Sequence, residues 1–408
     1  MKSVIILNHD SMSVRSGATL ATIGQAEALV DAGYRVVFVR SGGGTIDPTI
    51  TSRLEKKSIT PVTLNIPYWP ALWHNADPDE TLAAGIVSIL CDLIHQTQAS
   101  AVVSSTLVRP WGALAAAYAN CPHIWMAHEY ISPISDTTWL DQYIDFIFES
   151  SIVVLASSQT LKDELGSKKP NAASSARLEV CTPYVDISPV ALQPASSQPR
   201  LICPNHFTPV KNQIEFLQGL VEIVTRGYTP SVLFSATVVG DKRYYASVVS
   251  FISDHVELQP LVHFQLGATS NWDFVRTSDV VVLTSQEETF GMTTMESLKL
   301  GLPLVISDMG SLEMQRLGYV TPVNTYPLGQ PTLLATRILD TIETLPDRRE
   351  HSRQIQIRVL REQSAETCSK PLLEWLSFVS KGSSRKIGHG VSSLGLRLRS
   401  LLEDKKSN

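Results

Sequence analysis

The chain has 408 residues, of which 43% are apolar and 18% charged, so it can build two globular cores. Its net charge of −5 argues against general nucleic-acid binding. The 5 cysteines are widely spaced and form no Cys-x-x-Cys pair, which favours thiols in a reducing cytosol over a disulfide framework or zinc site. The N-terminal apolar run is too short for a signal peptide, and no apolar run of membrane-spanning length lacks a charge or proline. We therefore expect a cytoplasmic protein.

The first half of the chain alternates short β-branched runs with helical patterns, which predicts a parallel, doubly wound sheet. The predicted strands are residues 3–8, 35–40, 61–66, 101–104, 123–127, 152–156 and 178–182. The predicted helices include residues 18–32, 80–95, 113–118 and 159–165. These elements predict a Rossmann-like domain over residues 1–190.

A segment rich in proline and serine, residues 183–200, is the predicted linker to a second alternating region. The predicted strands there are residues 201–204, 231–239, 262–265, 279–284, 302–307 and 319–322. The predicted helices include residues 212–226, 244–254, 293–300 and 332–345. We expect a second Rossmann-like domain over residues 200–362, a helix at about 365–380 that packs back on the first domain, and a ligand cleft between the domains.

The C-terminal segment, residues 381–408, is basic: it carries seven Lys/Arg and two acids, so its charge is +5 and that of the rest is −10. Four apolar residues lie at helical spacing within it: Val391, Leu394, Leu398 and Leu401. The pattern suits either an interfacial helix on an anionic membrane or a frayed, solvated terminus. Peripheral contact with the inner face of a membrane is therefore one of two expectations.

The segment from Ser285 to Val305 carries two carboxylates, Glu288 and Glu296, with seven residues between them. Apolar strands flank it, and a glycine follows the first glutamate, so the unit reads as strand, glycine loop, helix and strand. This order places Glu288 and the backbone N–H groups of residues 290–293 at the carboxyl end of a parallel strand, where ligands bind. Since a helix N-terminus attracts anions, the segment predicts a phosphate site suited to a sugar nucleotide. Isolated glutamates at a helix start are more often solvated surface residues.

The order and spacing of these residues resemble the GT-B glycosyltransferases, and within them the large retaining family numbered 4. The resemblance extends to about residue 380. Its specific part is the Glu-x7-Glu motif with Phe290-Gly291 and Gly301-x-Pro303. Supporting matches are Asp279, Ser307-Asp308-Met309-Gly310, Val239-Gly240-Asp241, Tyr184-Val185-Asp186 and Ser16-Gly17-Ala18.

The resemblance implies a role for each matched residue. Lys211 would contact the donor diphosphate, and Glu288 would accept hydrogen bonds from the donor sugar. Glu296 would accept from the ribose, and His128 would lie beside the transferred sugar. The remaining donor-binding candidates are backbone groups: Gly17, Phe290, Gly291, Met292 and Thr293. We expect these groups to replace a metal ion, and the sequence shows no metal-ligand cluster.

One position departs from the family pattern. The family usually places an arginine five residues before the lysine, and this chain has His206 there. Arginine offers a permanently charged fork, whereas histidine, with a reference pKa of about 6.5, is charged only at lower pH. Either His206 does the same work less strongly, or Arg15 assists, or the phosphates bind differently.

The resemblance implies a retaining, metal-independent hexosyltransferase that moves a sugar from a nucleotide-sugar donor to a hydroxyl acceptor. The acceptor would be a glycan or a lipid-linked sugar in polysaccharide or glycoconjugate assembly. The aromatic loop at residues 66–74 either stacks on that acceptor or forms a local packing cluster. Two alternatives remain: a GT-B epimerase or phosphorylase, and a catalytically weak partner subunit that stabilises an active glycosyltransferase.

Overall fold

The computed structural model describes residues 2–381 except 9, 14, 67–79, 131–143, 145, 169–176, 188–189, 197 and 268–269, and the side chains of 80–83. Most of the aromatic loop and all but one residue of the basic C-terminal segment lie outside these residues. The chain divides into two compact units. Unit 1 runs to Tyr184 and resumes at Ala365, and unit 2 is Val185–Ser364.

Unit 1 contains a sheet that, within the described residues, has seven strands in the order β3-β2-β1-β4-β5-β6-β7, all parallel. The strands are β1 Ser3–Leu7, β2 Arg35–Ser41, β3 Pro61–Leu64, β4 Ala99–Ser104, β5 His123–Ala127, β6 Val153–Ala156 and β7 Leu178–Val180. The helices of its first part are α1 Gly17–Asp31, α2 Pro48–Lys56, α3 Glu80–Thr97, α4 Trp111–Tyr118 and α5 Gln159–Ser167.

Both faces of this sheet are covered. Ile5 and Leu7 belong to one buried cluster, while Val4 and Ile6 belong to another. Because successive strand residues point to opposite faces, this alternation requires apolar packing on both sides. That is why the strands read as continuous apolar runs.

Unit 2 contains a second parallel sheet, whose described strands follow the order β10-β9-β8-β11-β12-β13. The strands are β8 Leu201–Cys203, β9 Val232–Ala236, β10 Val262–Leu266, β11 Val280–Leu283, β12 Leu304–Ser307 and β13 Thr325–Tyr326. The helices are α6 Gln213–Thr225, α7 Lys242–Asp254, α8 Met292–Lys299, α9 Leu312–Arg316, α10 Pro331–Glu343 and α11 Leu345–Glu362. Alternate residues of β11 again enter opposite clusters. The two sheets confirm the predicted α/β fold.

The last described helix, α12 Ala365–Ser380, belongs to unit 1. Leu372 and Leu376 join the cluster that contains Ile6 and Ile23, so the helix packs on the same face as α1. Unit 2 is thus an insertion within unit 1 in chain order. Within the described residues, no helix is long and apolar enough to cross a membrane.

Some element predictions were wrong. Residues 319–322 are not a strand, since the strand that follows β12 is Thr325–Tyr326. The sequence resembles a strand there because Tyr319 and Val320 lie in a loop and are buried against the core. Helices α2, α9 and α11 were missed. Helix α11 is 18 residues long but buries only Leu345, Ser352 and Val359, so its apolar periodicity is weak.

Candidate functional site

Lys211 lies at the carboxyl edge of the second sheet, on the segment that joins β8 to α6. After β8 the chain passes through a short 3-10 turn, Pro209–Lys211, and then through Asn212 in the left-handed conformation with φ of 50°. Thr284, directly after β11, donates its hydroxyl to the carbonyls of Lys211 at 3.0 Å and Asn212 at 2.9 Å. The neighbouring strand therefore fixes the backbone that carries the lysine.

Lys211 and Glu288 form an ion pair. The Nζ atom of Lys211 lies 2.5 Å from Oε1 of Glu288, and the two side chains are 23% and 17% exposed. The hydroxyl of Ser285 donates to the same oxygen at 2.9 Å. The structure thus brings together the two residues expected at the diphosphate and at the donor sugar, 77 positions apart in the chain. Both charges are half-buried, where a charge acts more strongly on a bound ligand than it would in water.

The glycine loop leads into α8. Gly291 has φ of 88°, a left-handed conformation that L side chains rarely adopt, and it precedes the first helical residue, Met292. The N-cap residue, Gly291, has no side chain with which to cap the helix. Since the first N–H groups of a helix have no intrahelical acceptor, this helix start favours an anion. Phe290 is buried in the core and fixes the loop, so this residue can offer only its backbone to a ligand.

Asn205 is a polar residue of this edge that the sequence analysis did not single out. It is 3% exposed, and Thr293 in the first turn of α8 donates its hydroxyl to the Oδ1 atom of Asn205 at 3.0 Å. Its Nδ2 atom meets no hydrogen-bond acceptor among the described residues. A buried amide donor at a helix N-terminus adds to the positive potential there.

Glu296 lies one turn into α8. The indole Nε1 of Trp272 donates to Oε2 of Glu296 at 3.1 Å. Trp272 is 2% exposed and packs in the core beneath. Like Asn205, it was not identified from the sequence, because no local pattern links it to a glutamate 24 positions away.

His206 is half-buried on the same segment as Lys211. Its Nδ1 faces the carbonyl oxygen of Val238 at 3.2 Å, which assigns the proton to Nδ1 in the neutral ring. Next to it, Gly240 has φ of 84°, and a Cβ atom there would lie 2.8 Å from the carbonyl oxygen of Phe207. Glycine is therefore required for the Val239-Gly240-Asp241 turn to approach the segment.

Cys203, the last residue of β8, is fully buried close to the site. Burial raises the pKa of its thiol to about 12. The thiol remains protonated at neutral pH and is a poor nucleophile. We therefore assign no covalent chemistry to Cys203.

The candidates in unit 1 lie at the carboxyl edge of the first sheet. Gly17 is the first residue of α1, which Ser16 caps by accepting from the N–H of Thr19 at 3.1 Å. Arg15 Nε lies 3.6 Å from Asp47 Oδ2. His128 directly follows β5, and its backbone N–H donates to the Glu129 carboxylate at 3.2 Å.

Asp10 organises the loop after β1. It accepts hydrogen bonds from the backbone N–H of Met12 at 2.8 Å and from the hydroxyl of Thr19 at 2.6 Å. Glu129 plays a similar part beside His128, since it accepts from the hydroxyl of Thr106 and the N–H of Leu107. Both carboxylates therefore hold loops of unit 1 in place.

No group of three or more His, Cys, Asp or Glu residues within the described part of the chain could hold a metal ion. The polar groups of the candidate site in unit 2 are a lysine, two glutamates, hydroxyls, an amide and backbone N–H groups. These can bind phosphate and sugar hydroxyls directly.

Residues 187–342 match the family model described as glycosyl transferases group 1. No curated protein matches the chain significantly. Among solved structures, a glycosyltransferase from Rickettsia africae has a TM-score of 0.73 at 14% identity, and the similarity covers 93% of this chain and 99% of that one. Sucrose-phosphate synthase from Thermosynechococcus elongatus has a TM-score of 0.73 at 13% identity, covering 94% and 100% of the two chains.

HepE from Anabaena, solved with UDP-glucose, has a TM-score of 0.69 at 18% identity, covering 92% of this chain and 100% of that one. At these identities the similarities establish the fold, which these proteins share over nearly their whole lengths. The segment that matches the glycosyl transferases group 1 model makes up most of unit 2. Together the matched domain and the shared fold support an enzyme of the glycosyltransferase class.

Proposed function

We propose that the chain is a retaining, metal-independent glycosyltransferase that moves a hexose-type sugar from a nucleotide sugar to a hydroxyl acceptor. The observation that supports this most directly is the contact of Lys211 with Glu288 beside the start of α8, whose N-cap residue is glycine. It lies within the segment that matches the glycosyl transferases group 1 model. A cation for phosphate, an acceptor for sugar hydroxyls and an anion-binding helix start thus occur together.

In the proposed reaction, the bond from C1 of the sugar to the diphosphate oxygen breaks, and a bond from the acceptor oxygen to C1 forms on the same face. The diphosphate gains negative charge, and the acceptor hydroxyl loses its proton to the departing phosphate oxygen. Lys211 and the N–H groups of residues 291–293 stabilise that charge. Because these donors are held in place before the reaction, they replace the charge that a metal ion would supply.

In this proposal, the ion pair determines where the phosphate and the sugar of the nucleotide-sugar donor bind. A lysine ammonium has three N–H donors, so Lys211 can keep Glu288 and still donate to a phosphate oxygen. Glu288 in turn has a second carboxylate oxygen that can accept from a sugar hydroxyl. The pair therefore links the phosphate and sugar halves of the donor, at the bond that breaks.

Glu296 accepts from the ribose hydroxyls in this proposal, and the resemblance makes His128, Arg15 and Gly17 the candidate residues of unit 1. The complexes of HepE with UDP and UDP-glucose make uridine diphosphate sugars the first donors to test. The acceptor is a glycan or lipid-linked hydroxyl in polysaccharide or glycoconjugate assembly, and the protein acts in the cytoplasm. These finer assignments rest on the resemblance.

A thermal-shift screen of nucleoside diphosphates and nucleotide sugars, with and without EDTA, tests the proposal. A ligand that binds only the folded state raises the melting temperature, by an amount set by its concentration and Kd. We expect nucleotides with one particular base to raise the melting temperature most, and we expect EDTA to leave that rise unchanged. Product analysis with the selected donor then separates transfer from epimerisation. A chain that binds none of these ligands but binds a glycosyltransferase would instead be a partner subunit.

A further inference from the structure

Trp272 is buried beneath the donor site, yet its only polar atom reaches a residue of that site. The ring is 2% exposed, and its Nε1 donates to Oε2 of Glu296 at 3.1 Å. Indole nitrogen is a donor only, so this contact requires the glutamate oxygen to accept. The hydrogen bond therefore fixes which way the Glu296 carboxylate faces.

The loop that carries Trp272 is itself held at several points. Asn271 accepts from the N–H of Thr237, after β9, at 3.0 Å and donates to the carbonyl of Pro204, after β8, at 3.0 Å. Asp273 accepts from the N–H of Ser270 at 2.8 Å. The indole is thus tied to the ends of two neighbouring strands, and its position does not depend on Glu296.

A glutamate side chain otherwise has a broad, roughly two-fold final torsion. A carboxylate that rotates freely must lose that freedom when it binds a ribose, which weakens binding. Since Trp272 occupies Oε2 from the core side, the carboxylate is already oriented before the ligand arrives. This is the arrangement that a selective hydroxyl site needs, because a misplaced acceptor contributes little to discrimination.

We propose that Trp272 is a positioning residue for ribose recognition: through its hydrogen bond to Glu296, it sets how strongly the protein distinguishes a ribonucleotide from its deoxy analogue. The inference rests on the proposed function, because it takes Glu296 as the ribose acceptor. Trp272, although buried in the core, would thus take part in substrate selection.

The test is the Trp272→Phe variant of the full chain, titrated with the nucleoside diphosphate that the wild type binds and with its 2′-deoxy and 3′-deoxy analogues. We expect the variant to lose about tenfold in affinity for the ribonucleotide, typical of a hydrogen bond to a charged group. Its affinity for the deoxy analogue that lacks the contacted hydroxyl should change little. The ratio of the two Kd values should therefore shrink by about the same factor.

Trp125→Phe is the matched control, because this tryptophan is also fully buried and donates to a side chain, Ser150, at 3.3 Å, but lies in unit 1. It should leave the ratio unchanged. Glu296→Gln supplies a second check: adding Trp272→Phe to it should cost no further discrimination. If Trp272→Phe does not fold, benzothienylalanine at position 272 keeps the ring shape and removes the N–H.

An unchanged ratio of the Kd values would overturn the inference while leaving the proposed function intact. An equal loss of affinity for the ribonucleotide and both deoxy analogues is one such result, and it is the result that a purely structural role predicts. A wild-type protein that binds no nucleoside diphosphate would refute the proposed function and this inference together.

Discussion

At the scale of single residues, the site combines a held cation with a held acid. Ser285 and Lys211 both donate to one oxygen of Glu288, and Thr284 holds the backbone of the lysine. An ion pair of this exposure contributes little to folding, roughly 1 kcal/mol. Its value lies in placing two charges where a ligand can use them.

Replacing Lys211 by alanine should therefore affect chemistry far more than stability. We expect the transfer rate to fall by about 10²–10³-fold, the usual cost of losing one preorganised donor to a developing anion. Steady-state kinetics with the selected donor measure the loss, and the melting temperature reports folding. Lys242→Ala, at the exposed start of α7, is the control. Near wild-type turnover in Lys211→Ala would refute the diphosphate role.

His206 offers a second residue-scale test. Its Nδ1–H is directed at the carbonyl of Val238, so an Nε2–H exists only in the imidazolium form. If His206 contacts the donor phosphates, it donates to them only when it is charged, so transfer should decline at high pH. His206→Arg should keep its activity there, because arginine remains charged. Superimposable pH profiles of kcat for the two proteins would show that His206 does not supply this charge.

At the scale of elements, helix α8 connects the site to the ends of unit 2. Its first turn carries the anion-binding N–H groups, Glu296 lies one turn further on, and its last residue is Lys299, which is 2% exposed. The ammonium of Lys299 donates to the carbonyl of Val185 at 2.8 Å and to that of Gln363 at 2.9 Å. Because an ammonium this deeply buried needs such acceptors, α8 is fixed at its C-terminal end by these two segments.

Lys299→Met tests this fixation, because methionine keeps an unbranched stem and removes the donors. Two buried carbonyls then lose their partner, so we expect unit 2 to lose about 2–4 kcal/mol of stability. Chemical denaturation measures this change, and Lys242→Ala again serves as the reference. Donor affinity should fall as well if the helix start shifts. Unchanged stability would show that the carbonyls find other partners.

At the scale of the whole molecule, much of the fold is readable from the sequence. The strands are short and apolar because both sheets are covered on both faces, and the glycine loop before α8 follows from its motif. Contacts over long sequence separations are not readable in this way. Trp272 with Glu296, Asn205 with Thr293 and Lys211 with Glu288 join positions 24, 88 and 77 apart. Helix α11 was missed because a mostly solvated helix leaves a weak periodic signal.

The two units have separate cores and should respond differently to acid. His123 in unit 1 is fully buried, and its Nε2 atom is hydrogen-bonded to the hydroxyl of Ser104 at 2.9 Å. Burial lowers the pKa of its ring from 6.5 to about 3. As the pH falls, the unfolded chain takes up a proton before the folded one does. Unit 1 should therefore lose stability progressively between about pH 6.5 and pH 3, by up to roughly 5 kcal/mol.

His123→Gln keeps a partner for Ser104 and removes the titrating ring. The variant should be less stable than the wild type at neutral pH, because it packs less well against Trp125, but its stability should vary less with pH. Denaturation followed at several pH values measures the slope. An acid dependence equal to that of the wild type would assign the effect to other groups.

The two hydrogen bonds of Lys299 hold the ends of unit 2 together, and this affects how the chain could be re-engineered. One ammonium binds both the first and the penultimate residue of unit 2, so the two carbonyl oxygens lie within about 6 Å of each other, twice the length of a hydrogen bond. An inserted segment whose ends meet in this way resembles a cassette. We expect such a segment to be replaceable through one short splice at each end, provided that the lysine and its two carbonyls are kept.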